Sequence, residues 1–175
     1  MFLWVMVSGT DRREAELATI KLDRHEKGIL AALQENARLT MQELGDTVGL
    51  SASPCWRRVR SMEDIGVIRR YTVQLDPRKL GLGECVFAHV TLERHKENAV
   101  EQFEAAIAGM PQVLECFAVT GDADYLLRIV VPTTEDYGRF LSERIFSIPA
   151  VSHVKSSVTL KEVKFETRLP LDHLE

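Results

Sequence analysis

The sequence predicts an α+β chain in two parts, an N-terminal winged helix-turn-helix and a C-terminal ferredoxin-like βαββαβ domain. Three observations predict it. Two capping boxes and a glycine turn mark out three short helices between residues 21 and 66, with the helix-turn-helix itself at 41–60. Residues 83–169 alternate patterns in the order strand, helix, strand, strand, helix, strand. The charge changes sign between the two: residues 20–80 hold 11 Lys and Arg against 8 Asp and Glu, whereas residues 81–175 hold 9 against 15. A net of +3 followed by a net of −6 suits two domains with different partners.

The first helix starts at Asp23, with Glu26 as its capping-box partner. Ile29, Leu30 and Leu33 form its apolar stripe, Gly28 weakens it slightly, and the stretch 34–38 ends it. Thr40 and Glu43 form the second capping box, Met41, Leu44 and Val48 share a face, and Gly49 suits the left-handed residue that stops the helix. Leu50 is an apolar residue inside the turn, placed to plug the angle between two helices. The third helix is capped by Ser51 or Ser53 and carries Pro54 in its first turn, where a missing N–H costs little. Cys55, Val59 and Met62 share its buried face. Ser53, Trp56, Arg57 and Arg60 fall on the other side, with Arg58 between.

That distribution points to DNA. The second helix of a helix-turn-helix enters the major groove by its N-terminal residues. Arginine reads guanine with two hydrogen bonds or binds phosphate, and serine hydroxyls bind phosphate without sequence preference. Ser51, Ser53, Trp56, Arg57, Arg58 and Arg60 are therefore the expected DNA-contacting residues. The competing reading, a solvated charged face, accounts for the arginines but not for the capped helices and glycine turn around them. Residues 67–75 read as a strand, either the wing or a linker, and the linker region extends to residue 82. Arg69 and Arg70 there suit either backbone phosphates or a surface charge pair.

Pro77, Gly81 and Gly83 mark the domain boundary. Cys85–Leu92, 112–120, Tyr125–Val131 and 151–160 read as strands, with Gly121-Asp122 as a hairpin signal. A helix over 97–109 would bury Val100, Phe103, Ala106, Ile107 and Met110. A second, capped by Thr133 or Thr134, would bury Tyr137, Phe140, Leu141 and Ile145. Four strands with both helices on one face leave the other face open, and an apolar open face predicts pairing with another copy. The net charge of −6, and few aromatic residues, argue against single-stranded nucleic acid on that face.

Other classes are disfavoured. With 45% hydrophobic and 27% charged residues, the chain of 175 residues is composed for a packed core rather than for disorder. No apolar run reaches the roughly 18 residues of a membrane span. The apolar start, residues 1–7, lacks the features of a signal peptide, and residues 1–20 read as a tail, with Met6 or a later residue as an alternative start. Cys55, Cys85 and Cys116 are too widely spaced for a metal or redox motif and suit a reducing cytoplasm. His25, His89, His95, His153 and His173 are scattered, and no catalytic triad, metal cluster or phosphate loop is legible. No enzyme activity, cofactor or metal is expected.

Together these residues resemble the Lrp/AsnC (leucine-responsive regulatory protein) family of transcription regulators. The resemblance runs from Leu22-Asp23 and Ile29-Leu30 through Val48-Gly49-Leu50-Ser51, Ser53-Pro54-Cys55 and Arg57–Arg60 to Glu63, Gly66 and Ile68. It continues at Gly121–Leu127 and at Glu162-Val163-Lys164. It implies a double-stranded-DNA-binding regulator, bacterial or archaeal and cytoplasmic, whose binding or assembly is modulated by an amino acid. It also implies homodimers, up to an octamer of four dimers, with Thr120, Gly121, Asp122, Asp124, Tyr125 and Thr159 around the effector. Turn N–H groups suit an α-carboxylate, and an aspartate suits an α-ammonium. Ordinary turn chemistry would also account for Asp122 and Asp124. Trp56 and the tail 164–171 resemble one branch of the family, for which sulfur amino acids are the implied ligands. The strand Ser156–Leu160 lacks the bulk of leucine-sensing members. An architectural, nucleoid-like protein of weak sequence preference shares all these features and is the alternative.

Overall fold

The computed structural model describes residues 20–93 and 97–173. The expected tail, apart from Ile20, and His95 lie outside the described residues. The chain divides into two compact units: the residues up to Val73 with those from Glu166 onward, and Gln74–Phe165.

The first unit is built on three helices: α1 (Arg24–Glu35), α2 (Met41–Val48) and α3 (Ala52–Asp64). Both capping boxes form. Asp23 Oδ1 accepts from the N–H groups of His25 (2.8 Å) and Glu26 (2.9 Å), while Glu26 Oε2 accepts from the Asp23 N–H at 2.8 Å. At α2, Thr40 Oγ1 accepts from the Glu43 N–H (3.2 Å) and Glu43 Oε2 from the Thr40 N–H (2.8 Å). Ser51 holds the cap position of α3, but its hydroxyl makes no capping hydrogen bond. The cause is local: Pro54, three residues on, has no N–H to offer it.

The turn between α2 and α3 depends on two glycines. Gly49 ends α2 at φ +71°. Gly45 is buried within α2, and its carbonyl accepts from the Leu50 N–H at 2.8 Å. A Cβ at Gly45 would stand 2.5 Å from the Leu50 carbonyl oxygen. Ile29, Leu44, Cys55 and Met62 are fully enclosed between the helices, joined by Leu22, Leu30 and Val59.

One expectation needs correction here. The strand expected over 67–75 does not form: these residues join no sheet ladder among the described residues. Val67 and Ile68 fold back onto the helical core, but Arg69–Leu75 are exposed and have no neighbouring strand to pair with among the described residues. The residues from Glu166 onward, at the end of the expected C-terminal domain, group with the helical unit. Leu169 donates its N–H to Gln34 Oε1 (2.7 Å) and accepts from Gln34 Nε2 (3.2 Å), Arg168 pairs with Glu35, and Leu171 packs on the helical core.

The second unit runs β1 (Glu84–Leu92), α4 (Ala99–Ala108), β2 (Val113–Ala118), β3 (Tyr125–Val131), α5 (Thr134–Phe140) and β4 (Val151–Val158), with a π-helical turn at Leu141–Ile145 extending α5. The strand order is β2-β3-β1-β4 and every neighbouring pair is antiparallel, the expected ferredoxin-like topology. Thr133 caps α5, accepting from the Asp136 N–H at 3.1 Å. Alternate residues of β1 and β3, Val86, Ala88, Val90, Leu127 and Ile129 among them, are buried with Phe103, Ile107, Phe140 and Ile145. Val100 is exposed instead of buried, and Ala99 takes its place. Asn98, at φ +57°, starts the helix so that Ala99, Phe103, Ile107 and Met110 face the sheet.

The opposite residues of the strands form the open face. Phe117, Leu126 and His89 lie side by side in register, as do Glu115, Arg128 and Phe87. Arg128 Nε pairs with Glu115 Oε2 at 2.8 Å, and its guanidinium lies 6.0 Å from the centre of the Phe165 ring. Phe87 and Phe117 are exposed, as the open-face expectation required.

Candidate nucleic-acid interface and effector turn

α3 presents one buried and one exposed side. Cys55, Val59 and Met62 anchor it, which turns Ser53, Trp56, Arg57 and Arg60 to the surface. Ser51 and Ser53 are exposed at its N-terminal end, where backbone N–H groups are unsatisfied by the helix itself.

The three arginines differ in their partners. Arg57 is exposed and makes no ion pair among the described residues. Arg60 reaches Glu63 (3.3 Å) and Asp64 (3.4 Å) on its own helix, with 61% of its side chain exposed. Pairs of that kind are weak and exchange readily for a phosphate. Arg58 is half-buried, and its Nη1 sits 2.6 Å from Asp23 Oδ2 and 3.4 Å from Glu26 Oε1. Backbone donation from Glu26 and His25, with the charge of Arg58, holds the Asp23 carboxyl below its usual range.

Trp56 borders a cavity of about 270 Å³ with Leu33, Met41, Val59 and Tyr71. More than half of its surface is nevertheless exposed. Tyr71 closes the rim by donating to Glu63 Oε1 at 3.0 Å, and burial with that carboxylate pushes its phenol up to about 12.

In the second unit the hairpin turn after β2 is fastened from several sides. The Val119 N–H donates to the Asp124 carbonyl (3.0 Å) and the Asp124 N–H to that of Val90 (3.0 Å). Asp124 Oδ2 accepts from the Leu92 N–H at 2.7 Å. Gly121 supplies φ +117°, a backbone conformation that side-chain-bearing residues rarely adopt. The N–H groups of Thr120, Gly121, Asp122 and Ala123 donate to no acceptor among the described residues, and the exposed Asp122 carboxylate is likewise unpaired there.

The remaining expected effector residues stand elsewhere. Tyr125 points to the helix side of the sheet, 5% exposed, with its ring 4.6 Å from that of Phe103 and its hydroxyl donating to Glu104 Oε1 at 2.7 Å. Burial and that carboxylate push the phenol well up. Thr159 donates its N–H to the Cys85 carbonyl, and its hydroxyl oxygen is buried without a partner. Cys85 and Val90 are five residues apart on β1, about 17 Å at roughly 3.4 Å per residue. Within one chain, Thr159 and the Gly121 turn are therefore not one site.

Gly45, the Asp23 and Glu26 oxygens facing Arg58, and the packing of Leu169 and Leu171 were not foreseen. A glycine inside an otherwise good helix was a usable signal for the first. No local signal existed for the others. Among the described residues no group of His, Cys, Asp and Glu could hold a metal ion, and no helix is long and apolar enough to cross a membrane.

Comparison with known proteins is consistent across the chain. The family model of the Lrp/AsnC ligand binding domain matches residues 85–169, and that of a winged helix-turn-helix DNA-binding domain matches residues 22–69. The Bkd operon transcriptional regulator of Pseudomonas aeruginosa is 40% identical over 151 residues, covering 86% of this chain and 99% of that protein. The leucine-responsive regulatory protein of Salmonella typhimurium is 40% identical over 148 residues, covering 85% and 90%. A transcriptional regulator from Neisseria meningitidis, solved as an L-Met complex, superposes with a TM-score of 0.85 at 41% identity, over 89% of this chain and all of that one. With helix-turn-helix, antiparallel four-stranded sheet and both domain models in agreement, the chain belongs to the Lrp/AsnC family of transcription regulators.

Proposed function

We propose that this protein is a sequence-specific DNA-binding regulator whose operator binding or assembly responds to an amino acid, with a sulfur amino acid as the first ligand to test. The observation that carries the sensing half is the Gly121 turn, where four neighbouring N–H groups and the Asp122 carboxylate are all unpaired among the described residues. Together they offer donors for an α-carboxylate and an acceptor for an α-ammonium. The L-Met complex of the Neisseria relative supports methionine as that ligand. Thr159 offers a buried hydroxyl with no partner, but some 17 Å along the sheet. A pocket using both would take the turn from one copy and Thr159 from another, which suits a homodimer or an octamer of four dimers.

On the reader, Arg57 and Arg60 are the base- or phosphate-contacting residues, aided by Ser51, Ser53 and Trp56. Arg69 and Arg70 are exposed and follow directly after the helical core. The protein acts on double-stranded DNA in the cytoplasm of a bacterium or archaeon and needs no cofactor beyond its effector.

Thermal-shift titration of the full chain against the twenty amino acids tests the sensing half. A ligand of the folded state raises the melting temperature with concentration. Methionine is expected to do so, and Asp122→Asn is expected to abolish the shift. No shift with any amino acid would overturn the reading. For the reader, Arg57→Ala is expected to weaken binding to a duplex selected from a random-sequence pool by about 1–3 kcal/mol. Equal affinity of the wild type for that duplex and a scrambled one would favour the architectural alternative.

A further inference from the structure

We propose that Arg58 is a positioning residue, which sets the recognition helix α3 against the N-terminus of α1 and makes no contact with DNA. The proposal rests on the reading of α3 as the helix that enters the groove. Its basis is how the oxygens of the α1 capping box are divided. Asp23 Oδ1 and Glu26 Oε2 accept the backbone N–H groups that close the box. The two oxygens left over, Asp23 Oδ2 and Glu26 Oε1, both meet the same nitrogen, Arg58 Nη1.

Charge and burial argue against a phosphate clamp at this position. A guanidinium flanked by two carboxylates leaves a local charge of about −1, which repels phosphate at the short distances where Coulomb forces are strong. Arg58 is half-buried, whereas its neighbour Arg57 is exposed and free of ion pairs among the described residues. Val59, the next residue, is 4% exposed in the core. The Arg58 ion pair and the Val59 contact thus fix both the rotation and the tilt of α3, on which the outward aim of Trp56, Arg57 and Arg60 depends. Groups that act through such a network lose affinity together rather than additively when it is broken.

Substitutions exist that break the ion pair and keep the cap. Asparagine caps a helix as well as aspartate does, and glutamine completes a capping box as well as glutamate does. The experiment measures affinity for the selected duplex and for a scrambled duplex, across a range of salt, with the full chain. It compares the wild type, Arg58→Ala, Arg58→Lys, the double variant Asp23→Asn/Glu26→Gln, the triple combination, and Arg57→Ala. All are assayed at a temperature where circular dichroism shows each one folded.

Positioning predicts that Arg58→Ala and the double variant each weaken selected-duplex binding about three- to tenfold, and the triple little more than either. Scrambled-duplex binding and the salt slope stay at wild-type values, and Arg58→Lys recovers part of the loss. A direct phosphate contact predicts the reverse signs. Arg58→Ala would lower the salt slope by about one, and the double variant, having lost two repelling carboxylates, would bind more tightly. That result overturns the proposal, as does unchanged selected-duplex affinity in the folded variants, which would mean stabilisation alone. If Arg58→Ala does not fold, the sign of the double variant's effect still decides. Arg57→Ala separates the two readings: should it bind as the wild type does, the assignment of α3 fails, and not merely the role of Arg58.

Discussion

The Asp124 carboxylate accepts a hydrogen bond from the Leu92 backbone N–H at 2.7 Å, tying the hairpin turn to the end of the central strand β1. Leu92 sits where the β1–β4 ladder shifts register, so its N–H would otherwise lack a regular partner. Asp124 is thus a structural residue before it is a ligand-binding one, and Asp122 is the freer carboxylate of the turn. Asp124→Ala is expected to destabilise the sensor domain by about 1–3 kcal/mol, the cost of leaving a buried or half-buried donor unpaired. Asp124→Asn, which keeps an oxygen acceptor, should lose less. Chemical denaturation of the two variants checks the order; equal stability of Asp124→Ala and wild type would refute it.

At Gly45 the constraint is the absence of a side chain. Gly45→Ala places a Cβ 2.5 Å from the Leu50 carbonyl oxygen, and that atom belongs to backbone fixed by its own hydrogen bonds. The helix-turn-helix angle must open to admit it. A loss of about 1–3 kcal/mol, the usual range for overpacking, is expected despite alanine's better helix propensity. Gly49→Ala meets no atom within 4 Å, and its cost is the left-handed backbone alone. Thermal melts of both variants test this; DNA affinity should fall for Gly45→Ala even below its melting temperature.

Legibility followed the range of the interaction. Thr40 and Glu43, or Gly121 and its turn, act within a few residues, and their spacing carried the reading through to the structure. Strand alternation likewise placed Val86, Ala88, Leu127 and Ile129 on one face. The same alternation puts Tyr125 there, whereas the resemblance grouped it with the residues around the effector. The stretch 67–75 carries the strand pattern, but a strand needs a partner and none lies among the described residues. Gln34 and Leu169 are 135 residues apart, and nothing local to either marks the other. Arg58 reads in sequence like Arg57; only the fold brings Asp23 to it.

Acid should loosen the reader through its capping boxes. The Asp23 and Glu43 carboxyls are held below their ordinary values of 3.8 and 4.5, chiefly by the backbone N–H groups they accept from or reach back to. A carboxylate whose pKa is lower folded than unfolded stabilises fully above the unfolded value, and the contribution drains away as pH falls through the folded one. Reader stability is therefore expected to be flat down to about pH 5 and to decline below it. With Trp4→Phe removing the other tryptophan, Trp56 fluorescence reports urea unfolding of this unit. The decline should flatten when Asp23→Asn and Glu43→Gln are introduced together; an unchanged decline would assign acid sensitivity to other groups.

The last ten residues should matter to the reader although they follow the sensor domain in sequence. Gln34 and Leu169 exchange two hydrogen bonds, Arg168 pairs with Glu35 and is held by Glu166, and Leu171 covers part of the helical core. The ion pairs are exposed and contribute little on their own. The hydrogen bonds contribute about 0.5–1.5 kcal/mol each, and partial burial of Leu171 adds apolar area to the helical core. Ending the chain at Phe165 is expected to lower hydrogen-exchange protection along α1, and to leave protection across β1 and β3 unchanged. Gln34→Ala in the full chain should reproduce part of that loss, because it removes both partners of Leu169 while keeping the helix. Should truncation leave α1 protected as in the full chain, the C-terminal segment is not part of the reader's fold.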